Sequence, residues 1–143
     1  HCKVGGCIGR SIRFSVWLPT NWNGKFVMGG VGGFAGSLNN QAMGLGVLQR
    51  GYATATTDTG HQAGGIDGSW ALRDYEAIVN YGHLAVHRAT VTSKAIVDDF
   101  YAMAPGASYF FDCSNGGRQA LIDAQRYPDD FDAIVAGAPA LDF

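Results

Sequence analysis

The sequence predicts an α/β fold in which a mostly parallel sheet carries helices on its faces. The second half of the chain alternates helical and extended patterns, which is typical of βαβ units and therefore of parallel strands. The 143 residues are 47% hydrophobic, enough to bury a core, and neither a linker nor an internal repeat divides them. Residues 1–143 are therefore predicted to belong to one domain.

Three strands are predicted in the first half of the chain. Residues 11–19 alternate apolar and polar side chains and end at a proline. An apolar run at 26–30 follows an Asn-Gly turn, and residues 52–60 are rich in threonine and tyrosine. The other predicted segments are a glycine-rich loop at 31–37, a short helix at 40–50 stopped by Gly51, and an irregular loop at 61–69.

Helices and strands alternate in the second half. Residues 73–103 keep a 3.6-residue apolar period, either as one long helix or as two consecutive helices. In the second case, Thr92 or Ser93 is the candidate cap of the second helix. The pattern continues with a strand at 107–112, a helix at 115–127 that ends before Pro128, and a buried strand at 132–139.

Composition excludes several classes of function. Only 15% of the residues are charged, the formal net charge is −2, and lysine and arginine form no block. Neither nucleic acid nor an anionic membrane is therefore an expected partner. No apolar run approaches the roughly 18 residues that cross a bilayer. The 21 glycines cluster in short loops without a fixed period, which excludes a collagen-like chain.

Ser114 lies at a predicted strand-to-helix junction and is the candidate nucleophile. A serine hydroxyl attacks when a base removes its proton and hydrogen-bond donors stabilise the oxyanion. A sharp strand-to-helix turn exposes the hydroxyl and directs the first helical N–H groups at the reaction centre. Residues 112–116, Asp-Cys-Ser-Asn-Gly, match G-x-S-x-G at the serine and at the last glycine. The alternative is that Ser114 only caps the helix.

The glycine-rich loop after the second predicted strand is a candidate second half of the site. In α/β-hydrolases, one oxyanion donor follows the nucleophile and the other comes from a loop after an early strand. Gly32 and Gly33 occupy that place in the chain order. The alternative is that this loop is a plain turn between a strand and a helix.

Two features depart from the expected enzyme pattern. Asp112 stands where G-x-S-x-G has its first glycine, so a side chain enters a crowded turn. In addition, no histidine follows Ser114, although α/β-hydrolases place their residues in the order serine, acid, histidine. The acids after Ser114 come too early for that order: Asp123, Asp129, Asp130, Asp132 and Asp142.

The remaining polar candidates are expected to be structural. His61 follows a predicted strand end, where α/β sites are built, but it precedes the serine. His83 and His87 lie four residues apart on a predicted helix, a spacing that can bind metal, yet no matching acid motif accompanies them. Asp58 is predicted to anchor a strand end. No metal site is predicted in this chain.

The chain resembles the tannase and feruloyl esterase family, which consists of serine esterases with an α/β-hydrolase core. The resemblance extends over essentially the whole chain, in the stretches IRFSVWLPTNWNGKF, GGVGGFAGS, GYATATTDTGH, DGSWAL and YFFDCSNGGRQALIDAQRYPDDFDAIVAGAPA. Its most specific part is Cys-Ser-x-Gly-Gly-Arg at 113–118. The resemblance implies that Ser114 is the nucleophile, that Asn115 provides one backbone oxyanion donor, and that Gly32 or Gly33 provides the other.

The resemblance also implies a disulfide at Cys113. In the family, the cysteine before the serine is bonded to a cysteine that follows the catalytic histidine, which ties the nucleophile to its base. Three cysteines are present, Cys2, Cys7 and Cys113, so at least one has no partner within the chain. The implied partner of Cys113 lies beyond residue 143. Cys2 and Cys7 are then either halves of surface disulfides or a free pair, and the compartment is oxidising, secreted or periplasmic.

The resemblance further implies that the chain is the N-terminal portion of a larger catalytic domain. The chain begins at His1 rather than methionine, so we expect that its start has been removed. The family's lid, with its structural calcium site, and the catalytic acid and histidine are expected outside residues 1–143, and no cofactor is expected in them. The implied substrate is a small aromatic ester. The alternative is a non-catalytic α/β binding domain that has lost esterase activity.

Overall fold

The computed structural model describes residues 1–39 and 46–141 and confirms the predicted α/β class. The strands of the described residues are β1 (Cys2–Ile8), β2 (Ile12–Leu18), β3 (Lys25–Gly29), β4 (Ala53–Thr57), β5 (Ala107–Ser114) and β6 (Ala133–Pro139). The helices are α1 (Tyr75–Val79), α2 (Ala85–Tyr101) and α3 (Asn115–Arg126). A π-helical turn (Asn80–Leu84) joins α1 to α2, and 3₁₀ turns form at Leu48–Arg50 and Ser69–Ala71.

The strand order brings two loops together at one edge of the sheet. The six strands are arranged β1-β2-β4-β3-β5-β6, with β4, β3, β5 and β6 parallel and β1 and β2 antiparallel at one side. Because β3 and β5 are parallel neighbours, from Lys25 beside Ala107 to Gly29 beside Phe111, their carboxyl ends lie side by side. The glycine-rich loop that follows β3 therefore meets the Ser114 turn that follows β5.

The main core lies between the sheet and the pair α2 and α3. The apolar positions of β2 alternate as predicted, with Val16 and Leu18 facing inward beside Phe26 and Met28 of β3 and Phe110 of β5. From the helices, α2 and α3 contribute Val86, Ala89, Val97 and Ala120 to the same cluster. This apolar layer fixes α3 against β5, and with it the direction in which the chain turns at the strand end.

Three features of the fold differ from the sequence predictions. The strand at 132–139 was predicted to be buried, but β6 is the last strand in the order of the described sheet, and its residues are exposed or half-buried, with Val135 64% exposed. The strand β1 was not predicted, because its residues are mostly exposed and two glycines interrupt the apolar alternation. Neither Thr92 nor Ser93 caps a helix, because α2 runs unbroken through both and Ser93 is buried within it. The interruption instead falls at the π-helical turn, whose five residues directly precede α2.

The predicted helix at 40–50 lies partly outside the described residues. Its last three positions form the 3₁₀ turn Leu48–Arg50, which ends at Gly51 with φ 83°, as the sequence indicated. Among the described residues, no helix combines the length and apolarity needed to cross a bilayer.

Candidate active site

Ser114 adopts a strained backbone conformation at the junction of β5 and α3. Its φ is 58° and its ψ is −125°, values that a residue with a side chain rarely adopts and that cost about 1–3 kcal/mol. The pairing of β5 with β6 shifts register between Cys113 and Ser114, which marks the sharp turn. The serine is exposed, and its hydroxyl makes no capping hydrogen bond to α3. The helix-cap alternative therefore lacks its defining contact.

The glycine pair after Ser114 allows α3 to pack directly against two strands. A Cβ on Gly117 would lie 2.5 Å from the carbonyl oxygen of Gly137 in β6. A Cβ on Gly116 would lie 2.5 Å from side-chain carbons of Asp112 in β5. Both distances are shorter than a real contact between these atoms, so only glycine fits at either position. The first turn of α3 is thus held close to the end of β5.

Asp112 fits into the turn because its neighbours have no side chains. Its backbone does not have a positive φ, so this position does not demand glycine for conformational reasons. The Asp112 Cβ lies opposite Gly30 and Gly116, and the Oδ1 atom accepts a 2.7 Å hydrogen bond from the Cys113 N–H. Burial raises the pKa of this half-buried carboxyl. The departure from G-x-S-x-G is therefore accommodated, and the strain resides at Ser114.

The backbone amides of Gly32 and Gly33 lie in the glycine-rich loop. Gly33 has φ 56°, and a Cβ there would lie 2.2 Å from the carbonyl oxygen of Gly65, whereas Gly32 faces open space. The amides that follow are bonded, Phe34 N–H to Gly65 O and Ala35 N–H to Gly32 O. Among the described residues, those of Gly32 and Gly33 have no hydrogen-bond acceptor. That one of them is an oxyanion donor stays a prediction.

Three side chains to which the sequence analysis assigned no role connect this loop with α3. They are Tyr81 on the π-helical turn and Arg118 and Gln119 on α3, and their contacts are described below. A signal for Arg118 was available, because it is the last residue of the specific motif at 113–118, and Gln119 directly follows that motif. No sequence signal pointed to Tyr81, because its contact with the loop joins residues 48 positions apart in the chain.

The histidines have structural contacts away from Ser114. His61 is buried, its Nε2 lies 2.8 Å from the Phe34 carbonyl oxygen, and its ring stacks on Trp70 at 3.8 Å. Burial lowers the pKa of His61, which favours the neutral ring. His83 Nδ1 contacts the Tyr127 hydroxyl at 2.8 Å, and His87 Nδ1 contacts Asp130 Oδ2 at 2.8 Å. No hydrogen bond joins any histidine to Ser114 within the described parts of the chain.

Asp58 and Asp123 are both buried but differ in their hydrogen bonding. Asp58 Oδ1 accepts hydrogen bonds from the backbone amides of Arg13 and Gly60, so it anchors the end of β4 as predicted. Asp123 is buried in α3, and burial together with the charge of Asp130 raises its pKa to about 7. Across residues 1–39 and 46–141, no three His, Cys, Asp or Glu side chains converge as metal ligands.

The three cysteines are exposed and unpaired. Cys2 and Cys7 lie on the same strand five residues apart, a separation of about 16 Å, whereas bridged cysteines have Cα atoms within about 7 Å. They therefore cannot bond to each other. Cys113 lies at the far end of β5, directly before Ser114.

The sequence is similar to a known protein family and to individual esterases. The family model described as "Tannase and feruloyl esterase" matches residues 1–143. A probable feruloyl esterase of Arthroderma benhamiae is 42% identical over 142 residues, which cover 94% of this chain and 26% of the relative. An uncharacterized esterase of Xanthomonas campestris is 45% identical over 144 residues, with 97% and 25% covered. The chain spans about a quarter of the length of these relatives.

The fold agrees with that assignment. The structure is similar to the crystal structure of feruloyl esterase B from Aspergillus oryzae, with a TM-score of 0.89 and 33% identity over 97% of this chain and 28% of that one. The sheet and its flanking helices are an α/β-hydrolase core. On the match of the family model over residues 1–143, the chain belongs to the tannase and feruloyl esterase family.

Proposed function

We propose that the protein carrying this chain is a serine carboxylic ester hydrolase that acts on phenolic-acid esters. The observation that carries the proposal is the conformation of Ser114. A strained backbone at the start of a helix is maintained while the hydroxyl remains exposed and is not used for capping. Strain of this kind is typical of functional sites, where the surrounding structure supports it.

The proposed reaction is acyl transfer through Ser114. The Ser114 Oγ attacks the ester carbonyl carbon as a base takes its proton, and the carbonyl oxygen becomes an oxyanion. The oxyanion accepts hydrogen bonds from the Asn115 N–H and from the N–H of Gly32 or Gly33. The C–O bond to the alcohol then breaks as the alcohol receives the proton. Water attacks the acyl-serine by the same route and releases the acid.

The base and the acid of this reaction are proposed to lie outside residues 1–143. Each histidine of the chain precedes Ser114, and those within the fold have other partners. We place the histidine next to a cysteine that bonds to Cys113, in an oxidising compartment outside the cell or in the periplasm. Residues 1–143 alone are expected to retain at most about 10³–10⁴-fold acceleration over water.

The proposed substrate class comes from the relatives. The Arthroderma benhamiae relative and the Aspergillus oryzae structure are both described as feruloyl esterases, and the family name adds tannases. Feruloyl and galloyl esters carry different acyl groups, but both acyl groups derive from phenolic acids. An ester of a phenolic acid is therefore the expected substrate.

Labelling with a fluorophosphonate probe tests the nucleophile. We expect the full-length protein to be labelled at Ser114, and the Ser114→Ala variant to lose both the label and the hydrolysis of methyl ferulate or methyl gallate. Ser37→Ala, which removes an exposed hydroxyl from the glycine-rich loop, should keep both. A wild-type protein that is folded but unlabelled at Ser114 would instead favour the non-catalytic binding domain.

A further inference from the structure

We propose that Tyr81 and Arg118 are positioning residues that hold the two halves of the oxyanion site in register through the side chain of Asn115. The inference rests on the proposed esterase function and deepens it. The two backbone donors belong to segments more than 80 residues apart in sequence, the loop after β3 and the first turn of α3. Their spacing is therefore set by tertiary contacts.

The side chain of Asn115 is the centre of these contacts. It is fully buried, although its own backbone N–H is a proposed oxyanion donor. Its Nδ2 donates a 2.8 Å hydrogen bond to the carbonyl oxygen of Val31 in the glycine-rich loop. Its Oδ1 accepts from the Tyr81 hydroxyl at 3.1 Å and from Arg118 Nε at 2.8 Å. Three of the four hydrogen bonds that an asparagine side chain can make are thus formed within the protein.

Gln119, one turn further along α3, also contacts Val31 of the glycine-rich loop. Its Oε1 accepts a 3.1 Å hydrogen bond from the Val31 N–H, so α3 holds both the amide and the carbonyl of Val31. This contact also occupies the Val31 amide, which removes it as an oxyanion donor. The amides of Gly32 and Gly33, the next two residues, have no acceptor among the described residues and are the donors that we propose.

Tyr81, on the π-helical turn, links the first turn of α3 to the glycine-rich loop. Its hydroxyl lies 3.1 Å from Asn115 Oδ1 and 3.3 Å from the carbonyl oxygen of Gly33, and its single proton is donated to one of them at a time. Burial raises the pKa of this hydroxyl, so it remains a donor over the neutral range. Tyr81 therefore contacts both sides of the proposed site.

Arg118 holds Tyr81 in place. Its guanidinium lies 4.5 Å above the Tyr81 ring, and its two Nη atoms donate to the carbonyl oxygens of Tyr81 and Gly82 at 3.1 and 3.3 Å. These carbonyls belong to the π-helical turn, where the inserted residue disturbs the regular helical hydrogen bonding. Arg118 supplies donors there and, through Nε, fixes Asn115 Oδ1 at the same time. The planar fork of arginine suits this arrangement, whereas a lysine provides one point charge.

The test compares Tyr81→Phe and Arg118→Lys with Tyr101→Phe in the full-length protein. Tyr101 is a matched control, because its partly buried hydroxyl also donates to a backbone carbonyl, that of Pro19 at 2.6 Å. Pro19 follows β2, whose end lies at the opposite edge of the sheet from Ser114. We would measure kcat and KM for methyl ferulate, the inhibition constant of phenylboronic acid, and the melting temperature.

We expect the two variants to lose stabilisation of the transition state rather than affinity for the substrate. Tyr81→Phe and Arg118→Lys should each lower kcat about tenfold with KM changed less than twofold, a smaller loss than the hundredfold or more of deleting an oxyanion donor. Affinity for phenylboronic acid, whose tetrahedral adduct places an oxygen in the oxyanion site, should fall in the same proportion. Tyr101→Phe should change neither quantity.

The outcomes separate the two proposals. If the wild-type protein hydrolyses no ester and Ser114 is not labelled, the proposed function fails and the positioning role fails with it. If the wild type is active but the Tyr81 and Arg118 variants match Tyr101→Phe in kcat and boronate affinity, only the positioning role is overturned. A fall in kcat with unchanged boronate affinity would also overturn it.

Discussion

Replacing the buried carboxyl of Asp123 should remove a large pH dependence of stability. Asp123 is 1% exposed, and neither of its carboxyl oxygens has a hydrogen-bond partner among the described residues. Burial, with a further contribution from the charge of Asp130, raises its pKa from 3.8 to about 7. The folded protein therefore keeps a proton on Asp123 at pH values where the unfolded chain has lost it.

The magnitude follows from the two pKa values. They differ by about 3, and each pKa unit corresponds to about 1.4 kcal/mol. Asp123 therefore changes the free energy of unfolding by about 4 kcal/mol between low and high pH. Because the folded state binds more protons, the free energy of unfolding falls as the pH rises from about 4 to about 7 and is level above that range. Asp123→Asn removes this slope, whatever its effect on absolute stability.

Urea unfolding of the protein at pH 4 to 8 measures the effect. We expect the difference in unfolding free energy between Asp123→Asn and the wild type to move by about 4 kcal/mol across that range, in favour of the variant at high pH. Asp129→Asn is the matched control, because it removes an exposed carboxylate near the end of the same helix. Parallel pH profiles for Asp123→Asn and the wild type would refute the reasoning.

The glycines around Ser114 give further predictions. Gly116→Ala should destabilise the protein by about 1–3 kcal/mol, because its Cβ would overlap the Asp112 side chain, and Asp112→Gly in the same chain should restore most of that loss. Additive unfolding free energies in this double-mutant cycle would contradict the packing account. Gly33→Ala should cost more than about 2 kcal/mol and lower esterase activity, because a positive φ coincides with a backbone contact at Gly65 that cannot yield. A thermal unfolding curve unchanged by Gly33→Ala would show that this loop is not fixed as described.

Most strands and helices of this fold were predictable because each one buries one side. The alternation of β2, the short apolar run of β3 and the period of α2 report that burial within a few residues of sequence. The strand β1 escaped prediction because its stability comes from its partner. Gly6 in β1 lies opposite Phe14, whose ring occupies the space where a side chain on Gly6 would be.

The site was predictable only in its local part. The sequence placed Ser114 between a strand and a helix and paired it with a glycine-rich loop, and both placements agree with the structure. It also singled out Asp112 as an irregularity. Nothing in the sequence connects Asp112 with Gly30, which follows the end of β3 and provides part of the space that Asp112 needs.

The sequence by itself determined the α/β class, the candidate nucleophile and the family, because each depends on residues close together in the chain or on many short matching stretches. Only the tertiary structure decided how Ser114 is oriented, why an aspartate is tolerated two residues before it, and which side chains hold the glycine loop. Asn115 and Gln119 reach Val31 across 84 and 88 residues. Contacts between residues so far apart in the chain produce no periodic pattern in the sequence. They arise because the parallel strands β3 and β5 bring their ends together.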